Sequence, residues 1–416
     1  MFRLLRLKVL LAAVVVIVFL ITNSQIYSIR HARVAVFPSY DSLLSPPPPR
    51  QLSVAVLESE GCHDEVTAAL VYAFAQQPRT NVTLYLKKAR FGIQPIYDSF
   101  FASGRPGAAD APVRATSRDF SPRNLKATPE VVVMVTGEFD FALEAGLAYL
   151  FKHSPKTRLL CVIHHADLWR VVADDPATHE LVVKAAPWIA SRRITFLALS
   201  PHVHHYLIKT ITPTWQHITD VPPRIETFVP VFPVDPDLSS ATSYNLGADE
   251  IGFAIQGNAS PGRRNYTKVV LQLAELRRHK TAPNVRLHLL SGSSAIEQVA
   301  IPAEVAEHVV VHRSLDYADY YGLLGQNAAL LTAFDSTAYY YERASSTIPA
   351  ALISGTPVIA DQRLLDAYSY LDRSLVWYRQ SSEEEMDVAV KVARDISAEE
   401  RRARRAQVRR KNLDLC

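Results

Sequence analysis

The 416-residue sequence holds only three cysteines, Cys62, Cys161 and Cys416, so neither a disulfide framework nor a four-cysteine zinc site can hold it together. It also lacks an excess of charge. Lysine and arginine outnumber acidic residues by 45 − 41 = +4, too little for a dedicated nucleic-acid binder. Neither a GxGxxG fingerprint nor a Walker phosphate loop occurs. After the first thirty residues no further hydrophobic segment is long enough to span a bilayer, which excludes a multi-span channel. What remains is ordinary globular usage, 48% apolar and 21% charged, and a length that suits two domains plus an appendage.

The start of the chain sets the expected compartment. Arg3, Arg6 and Lys8 precede an apolar run from Val9 to Ile21, and Tyr27 closes a segment close to the ~20 residues a spanning helix needs. The preferred reading is a signal anchor at 9–27 with a cytosolic tail at 1–8. It implies a single-pass type II protein of the Golgi or endoplasmic reticulum membrane, with the bulk of the chain lumenal. A cleaved signal peptide, with Thr22 and Ser24 as the processing site, competes with it. Residues 28–51 contain Pro46 to Pro49 and read as a stiff stem. Sequons at Asn81, Asn258 and Asn265 suit the secretory pathway, and Asn81 is the expected glycosylation site.

From Leu52 on, short runs of Val, Ile and Leu alternate with helical stretches, the signature of strands buried on both faces of a parallel sheet. The expected strands are Leu52–Leu57, Asn81–Leu86, Val131–Val135, Arg158–Ile163 and Thr195–Leu199. Prolines at 222, 223, 230, 233 and 236 interrupt the pattern, which then restarts at Ile251. The expectation is an α/β fold of two doubly wound Rossmann-like domains, 52–221 and 250–416, joined by a hinge at 222–249. A ligand would lie at the carboxyl ends of the strands. The end, Glu383–Arg410, reads as helical throughout. Its basic run (Arg401, Arg402, Arg404, Arg405, Arg409, Arg410, Lys411) reads as an exposed face or a contact for acidic lipid or phosphate-bearing glycans.

Two segments carry candidate chemistry. Ile255 to Lys268 is a strand, a small-residue loop and a helix start. Gly257 and Gly262 let backbone approach a ligand, and Arg263, Arg264 and Lys268 add charge suited to a diphosphate. Tyr341 to Ala360 places Glu342 before a serine-rich helix start containing Ser345 and Ser346, then ends the helix at Gly355 before Pro357. Glu, a small-residue helix and Gly-x-Pro-Val-Ile-Ala resemble the donor-binding signature of GT-B glycosyltransferases, the superfamily of glycogen and sucrose synthases. The chain also looks like fungal or protist members of that fold. The resemblance implies that Glu342 contacts the donor sugar and that Arg264 and Lys268 bind the donor diphosphate. It also implies retention of anomeric configuration, without a metal and with no cofactor beyond the nucleotide-sugar substrate. Where the family has a second glutamate for the ribose, this chain has Ala350, and Ser345 stands where the family has glycine.

In the first domain, His164, His165 and Glu138 follow strand ends and are the candidate catalytic and acceptor-side residues. Glu58 is a further carboxylate there. His202, His204 and His205 have no acidic neighbour in sequence and are not expected to hold metal. Asp235-Pro236-Asp237 matches the metal-binding triplet of GT-A enzymes but lies in the hinge. The stripe of Tyr317, Tyr320 and Tyr321 reads as core. The expected function is transfer of a sugar from a nucleotide-sugar to a glycan or glycoprotein acceptor. A non-catalytic sugar- or nucleotide-binding scaffold and a metal-dependent GT-A enzyme are the alternatives.

Overall fold

A computed structural model describes residues 51–101, 112–125, 128–234, 250–260, 262–279 and 284–416. The expected anchor and stem, and the Asp235–Asp237 triplet, lie outside the described residues. Among the described residues no helix is long and apolar enough to cross a membrane.

The first sheet has seven strands: β1 (Leu52–Glu58), β2 (Thr80–Leu86), β3 (Val113–Thr116), β4 (Val131–Met134), β5 (Arg158–Ile163), β6 (Ile194–Ala198) and β7 (Arg224–Thr227). All neighbours pair in parallel, in the order β3-β2-β1-β4-β5-β6-β7. The helices α1 (Asp64–Ala75), α2 (Glu144–His153) and α3 (Glu180–Ala190) make its crossovers. The second sheet has six: β8 (Ile251–Gln256), β9 (Val285–Ser291), β10 (Val309–Arg313), β11 (Ala329–Leu331), β12 (Val358–Ala360) and β13 (Val376–Tyr378). They too are parallel, ordered β10-β9-β8-β11-β12-β13. Its helices are α4 (Tyr266–Arg278), α5 (Tyr317–Gln326), α6 (Thr347–Ser354), α7 (Glu385–Asp395) and α8 (Ala398–Leu415).

This is the two-sheet α/β arrangement the alternation predicts. The central strands β1, β4, β5 and β8 are apolar on both faces because helices cover both. Phe100, Phe232 and Tyr321 meet edge to face, at centroid separations of 5.7 and 5.8 Å, and join the inner layers of the two halves into one core. On the outer side of the first sheet, Trp169, Phe196 and Trp215 form a closed aromatic cluster.

Three strands were not expected: β3, β7 and β13. The first two are edge strands with charged residues (Arg114; Arg224 and Glu226) and little burial, so neither shows an apolar run. Four residues of the expected hinge are thus an ordered edge, between Pro223 and Pro230.

The terminal helix is not continuous. It breaks at Ile396–Ser397, where Ser397 caps α8 by accepting from the Glu400 amide (3.1 Å). Nor is its basic run simply solvated. Arg404 donates to the Val376 carbonyl and stacks on Trp377, Arg401 donates to the Val392 and Ile396 carbonyls, and burial lowers Arg405 to about 10. Arg402, Arg409 and Arg410 are exposed. Through α8 the chain returns to the first half, where Asn412 Nδ2 donates to the Phe232 carbonyl (3.1 Å).

Candidate functional site

The carboxyl ends of the two sheets face each other across a cleft containing a cavity of about 340 Å3. On the first-half side, three buried carboxylates organise the loops. Glu58 accepts from the amides of Gly61 (2.5 and 2.6 Å), Glu60 (3.2 Å) and Cys62 (3.3 Å). Asp140 accepts from the amide and hydroxyl of Ser59 (3.0 and 2.6 Å) and from those of Thr136 (2.8 and 3.0 Å), tying the β1 loop to the β4 loop. Burial nevertheless pushes its pKa up to about 7. Glu138, 7% exposed, takes the amides of His164 and His165 on Oε1, both at 2.8 Å. Glu138 therefore lies beneath the His164–His165 loop and positions it; it does not reach into the cleft. A side chain at Gly137 would put Cβ 2.3 Å from Cys161 Sγ, so the loop packs down only because glycine stands there.

His164 Nε2 lies 2.8 Å from the Val135 carbonyl, which assigns its proton to that nitrogen, and its ring stacks on His63 with centroids 3.6 Å apart. Burial lowers His164 to about 4 and pushes His63 well below the usual histidine range; neighbouring positive charge, including Arg263 across the cleft, adds to the effect on His63. Burial also lowers His165. These rings are neutral near pH 7. They offer hydrogen bonds and are weak bases.

On the opposite side, Gly257 at φ 118° turns the chain after β8 and brings it against Arg264. Arg264 is 4% exposed. Its Nη2 donates to Ser345 Oγ and Thr347 Oγ1, both at 2.9 Å, and its plane lies over the rings of Phe334 and Tyr339 (4.8 and 4.7 Å). Nε has no hydrogen-bond partner and the guanidinium no ion pair among the described residues. A buried cation held by neutral hydroxyls and aromatic faces is a site waiting for an anion. Ser346 is exposed at the start of α6, and Gln256 bonds Thr347 Oγ1 (2.9 Å). Arg263 is exposed on the cleft-facing loop.

Lys268 does not join them. Asn265 caps α4 by accepting from its amide, which points the side chain outward to an exposed ion pair with Glu384 (2.9 Å). Glu342 does not line the cavity; its carboxylate lies near the Tyr206 hydroxyl, whose pKa it helps to raise after burial. Asn81 is exposed on β2, whereas Asn258 and Asn265 are engaged by Ser260 and Asp335. His202 lies with Nδ1 3.0 Å from the Ala367 carbonyl and Nε2 3.1 Å from that of Arg343, so it braces the two halves. Beside it Arg343 pairs with Asp167 (2.9 Å). Among the described residues no group of three or more histidine, cysteine or acidic side chains could hold a metal.

Sequence reading missed His63 and Glu65. A lone histidine before a helix and an acid in its first turn are ordinary N-terminal residues. Tyr317, Tyr320 and Tyr321, read as core, do belong to it, and all three also line the cavity.

The Anabaena protein HepE, crystallised with UDP and glucose, shares this fold. The TM-score is 0.54 at 12% identity, over 88% of this chain and 97% of that one. The sucrose-phosphate synthase of Thermosynechococcus elongatus matches with TM-score 0.54 at 14% identity, over 88% and 95%. A second HepE crystal structure, with UDP-glucose, gives 0.53 at 13%, over 88% and 97%. At such identities the likeness is one of fold. No protein-family model and no curated protein matches the sequence.

Proposed function

We propose that the protein is a glycosyltransferase that moves a sugar from a nucleotide-sugar to a glycan or glycoprotein acceptor. The observation that carries this reading is Arg264, a buried guanidinium without a counter-charge at the cleft. A donor diphosphate supplies two negative charges there. As the bond to the sugar breaks, negative charge grows on the departing phosphate, and a cation already fixed in place stabilises it without reorganising. Arg263 and the exposed Ser346 at the α6 start flank the same position. Bound nucleotides in the HepE crystals, on the same fold, agree with a nucleotide-sugar partner.

The donor sugar lies between this anion site and the neutral rings of His63, His164 and His165, which hydrogen-bond its hydroxyls. Glu342 reaches sugar hydroxyls by turning away from the Tyr206 hydroxyl. The absence of a strong base among the three imidazoles favours a retaining reaction, in which none has to deprotonate the acceptor ahead of attack. Arg264 supplies the charge stabilisation that a divalent ion provides elsewhere, so the reaction is metal-independent. The basic and apolar start of the sequence supports a type II membrane protein of the Golgi or endoplasmic reticulum.

A second reading, a sugar- or nucleotide-binding scaffold without turnover, is favoured by Ala350, which leaves α6 without a carboxylate facing the cavity. A thermal-shift screen against nucleoside diphosphates and their sugars, followed by a donor-hydrolysis assay, tests both. Stabilisation that Arg264→Met abolishes, with hydrolysis, supports the transferase. Stabilisation without hydrolysis or transfer to any acceptor supports the scaffold. Well-folded protein that no nucleotide stabilises refutes both.

A further inference from the structure

The cavity has walls of opposite character. Along α6 it meets Pro349, Ala350 and Ile353, none of which can bond a hydroxyl. Across from them the first turn of α1 brings in Glu65, the sole carboxylate among the lining residues. The Tyr317 hydroxyl donates to Glu65 Oε2 at 3.0 Å, and no cation pairs with the group among the described residues. Tyr317, Tyr320 and Tyr321 stand close around it, and burial raises its pKa. A carboxylate kept in an aromatic wall, short of donors, suits a ligand that brings O–H groups of its own.

We propose that Glu65 holds the ribose hydroxyls of the nucleotide bound in this cavity, so that the nucleoside is read from the half of the molecule opposite its diphosphate. This rests on the donor-site reading of Arg264. Gly257, Asn258 and Ser346 line the cavity on its Arg264 side, so a diphosphate at the guanidinium directs its nucleoside inward. The volume of about 340 Å3 is that of a small-ligand pocket. Tyr317 and Phe91, whose rings meet at a centroid distance of 6.2 Å, offer faces for a base. A vicinal diol presents two donors to two carboxylate oxygens, one of which gives up or shares the Tyr317 bond.

The test is isothermal titration of the full-length protein with ribonucleoside diphosphates and their 2′-deoxy counterparts. For the base that binds, wild type favours the ribose form by about 10- to 100-fold, the value of a hydrogen bond to a charged group. Glu65→Ala brings that ratio below about threefold and leaves 2′-deoxy affinity in place. Tyr317→Phe, which removes the bond between the halves but keeps the carboxylate, retains the preference; a merely structural role for Glu65 would make the two variants alike. If Glu65→Ala does not fold, Glu65→Gln takes its place with a smaller fall in the ratio. Undiminished ribose preference in a folded Glu65 variant overturns the proposal. Arg264→Met weakens both nucleotide forms equally. Wild type that binds no nucleoside diphosphate overturns the donor-site reading and this one together, whereas binding that needs Arg264 and ignores Glu65 overturns this one alone.

Discussion

The two walls of the cleft solve the problem of buried charge in opposite ways. In the first half, Glu58, Glu138 and Asp140 are met by backbone amides and hydroxyls; Glu58 closes its own turn, while Glu138 and Asp140 each join two loops. In the second half Arg264 is just as buried, yet it meets only hydroxyls, a backbone carbonyl and aromatic rings. The acids take most of their bonds from the fold itself, although Glu138 Oε2 has none, and the cation meets no opposite charge among the described residues. An unpartnered atom alone does not mark a binding residue, since the Nε atoms of Arg286, Arg343 and Arg404 are unpartnered too; each of those has an acidic partner, and Arg264 has none among the described residues.

Removing an acid should test that contrast most severely. Glu138→Ala strands two amides beneath the histidine loop, and a loss of about 3–4 kcal/mol in urea unfolding is expected. A loss under about 1 kcal/mol would remove the distinction between the walls.

The neutral imidazoles come next. His164, held at about 4 against an ordinary 6.5, gives its full stability above pH 6.5 and loses it as pH falls toward 4, by about 3 kcal/mol. Asp140, raised to about 7, runs the other way and loses its contribution as pH rises through 7. Melting curves of wild type and His164→Gln across pH 4–8 separate the two, because Asp140 is common to both. The curves should diverge on the neutral side and converge in acid.

Arg264→Met inverts the pattern of Glu138. It abolishes a nucleotide-induced stabilisation of about 2.7 kcal/mol at hundredfold excess over Kd, and leaves the melting temperature of the unliganded protein at or above that of wild type. A large destabilisation without ligand would make Arg264 a structural residue like the acids. The smallest effect belongs to Asp167→Asn, which breaks an ion pair about one-third exposed on each side and should cost under about 1 kcal/mol in thermal unfolding.

Much of this fold is legible in the sequence because its central strands are buried on both faces and read as uninterrupted apolar runs. Edge strands β3 and β7 are illegible for the converse reason, since half of each faces water. The break at Ser397 hides inside a charged run whose helix propensity continues on both sides. At the site, Arg264 could be read because loop and helix start adjoin it in sequence. The outward turn of Lys268 could not, because Glu384 lies 116 residues away. Glu65 was invisible for the same reason: its significance comes from Ala350 and Tyr317, which only folding brings opposite it.

The brace formed by His202, whose neutral ring donates to either the Ala367 or the Arg343 carbonyl, has a kinetic consequence. It touches neither the cavity nor Arg264, so a ligand in the cleft makes no contact with it. Where ligand passes by parting of the two halves, weakening the brace raises the rates of entry and exit by one common factor and leaves the equilibrium between them where it was. An enzyme limited by departure of its product would turn over faster with a poorer brace, at unchanged affinity.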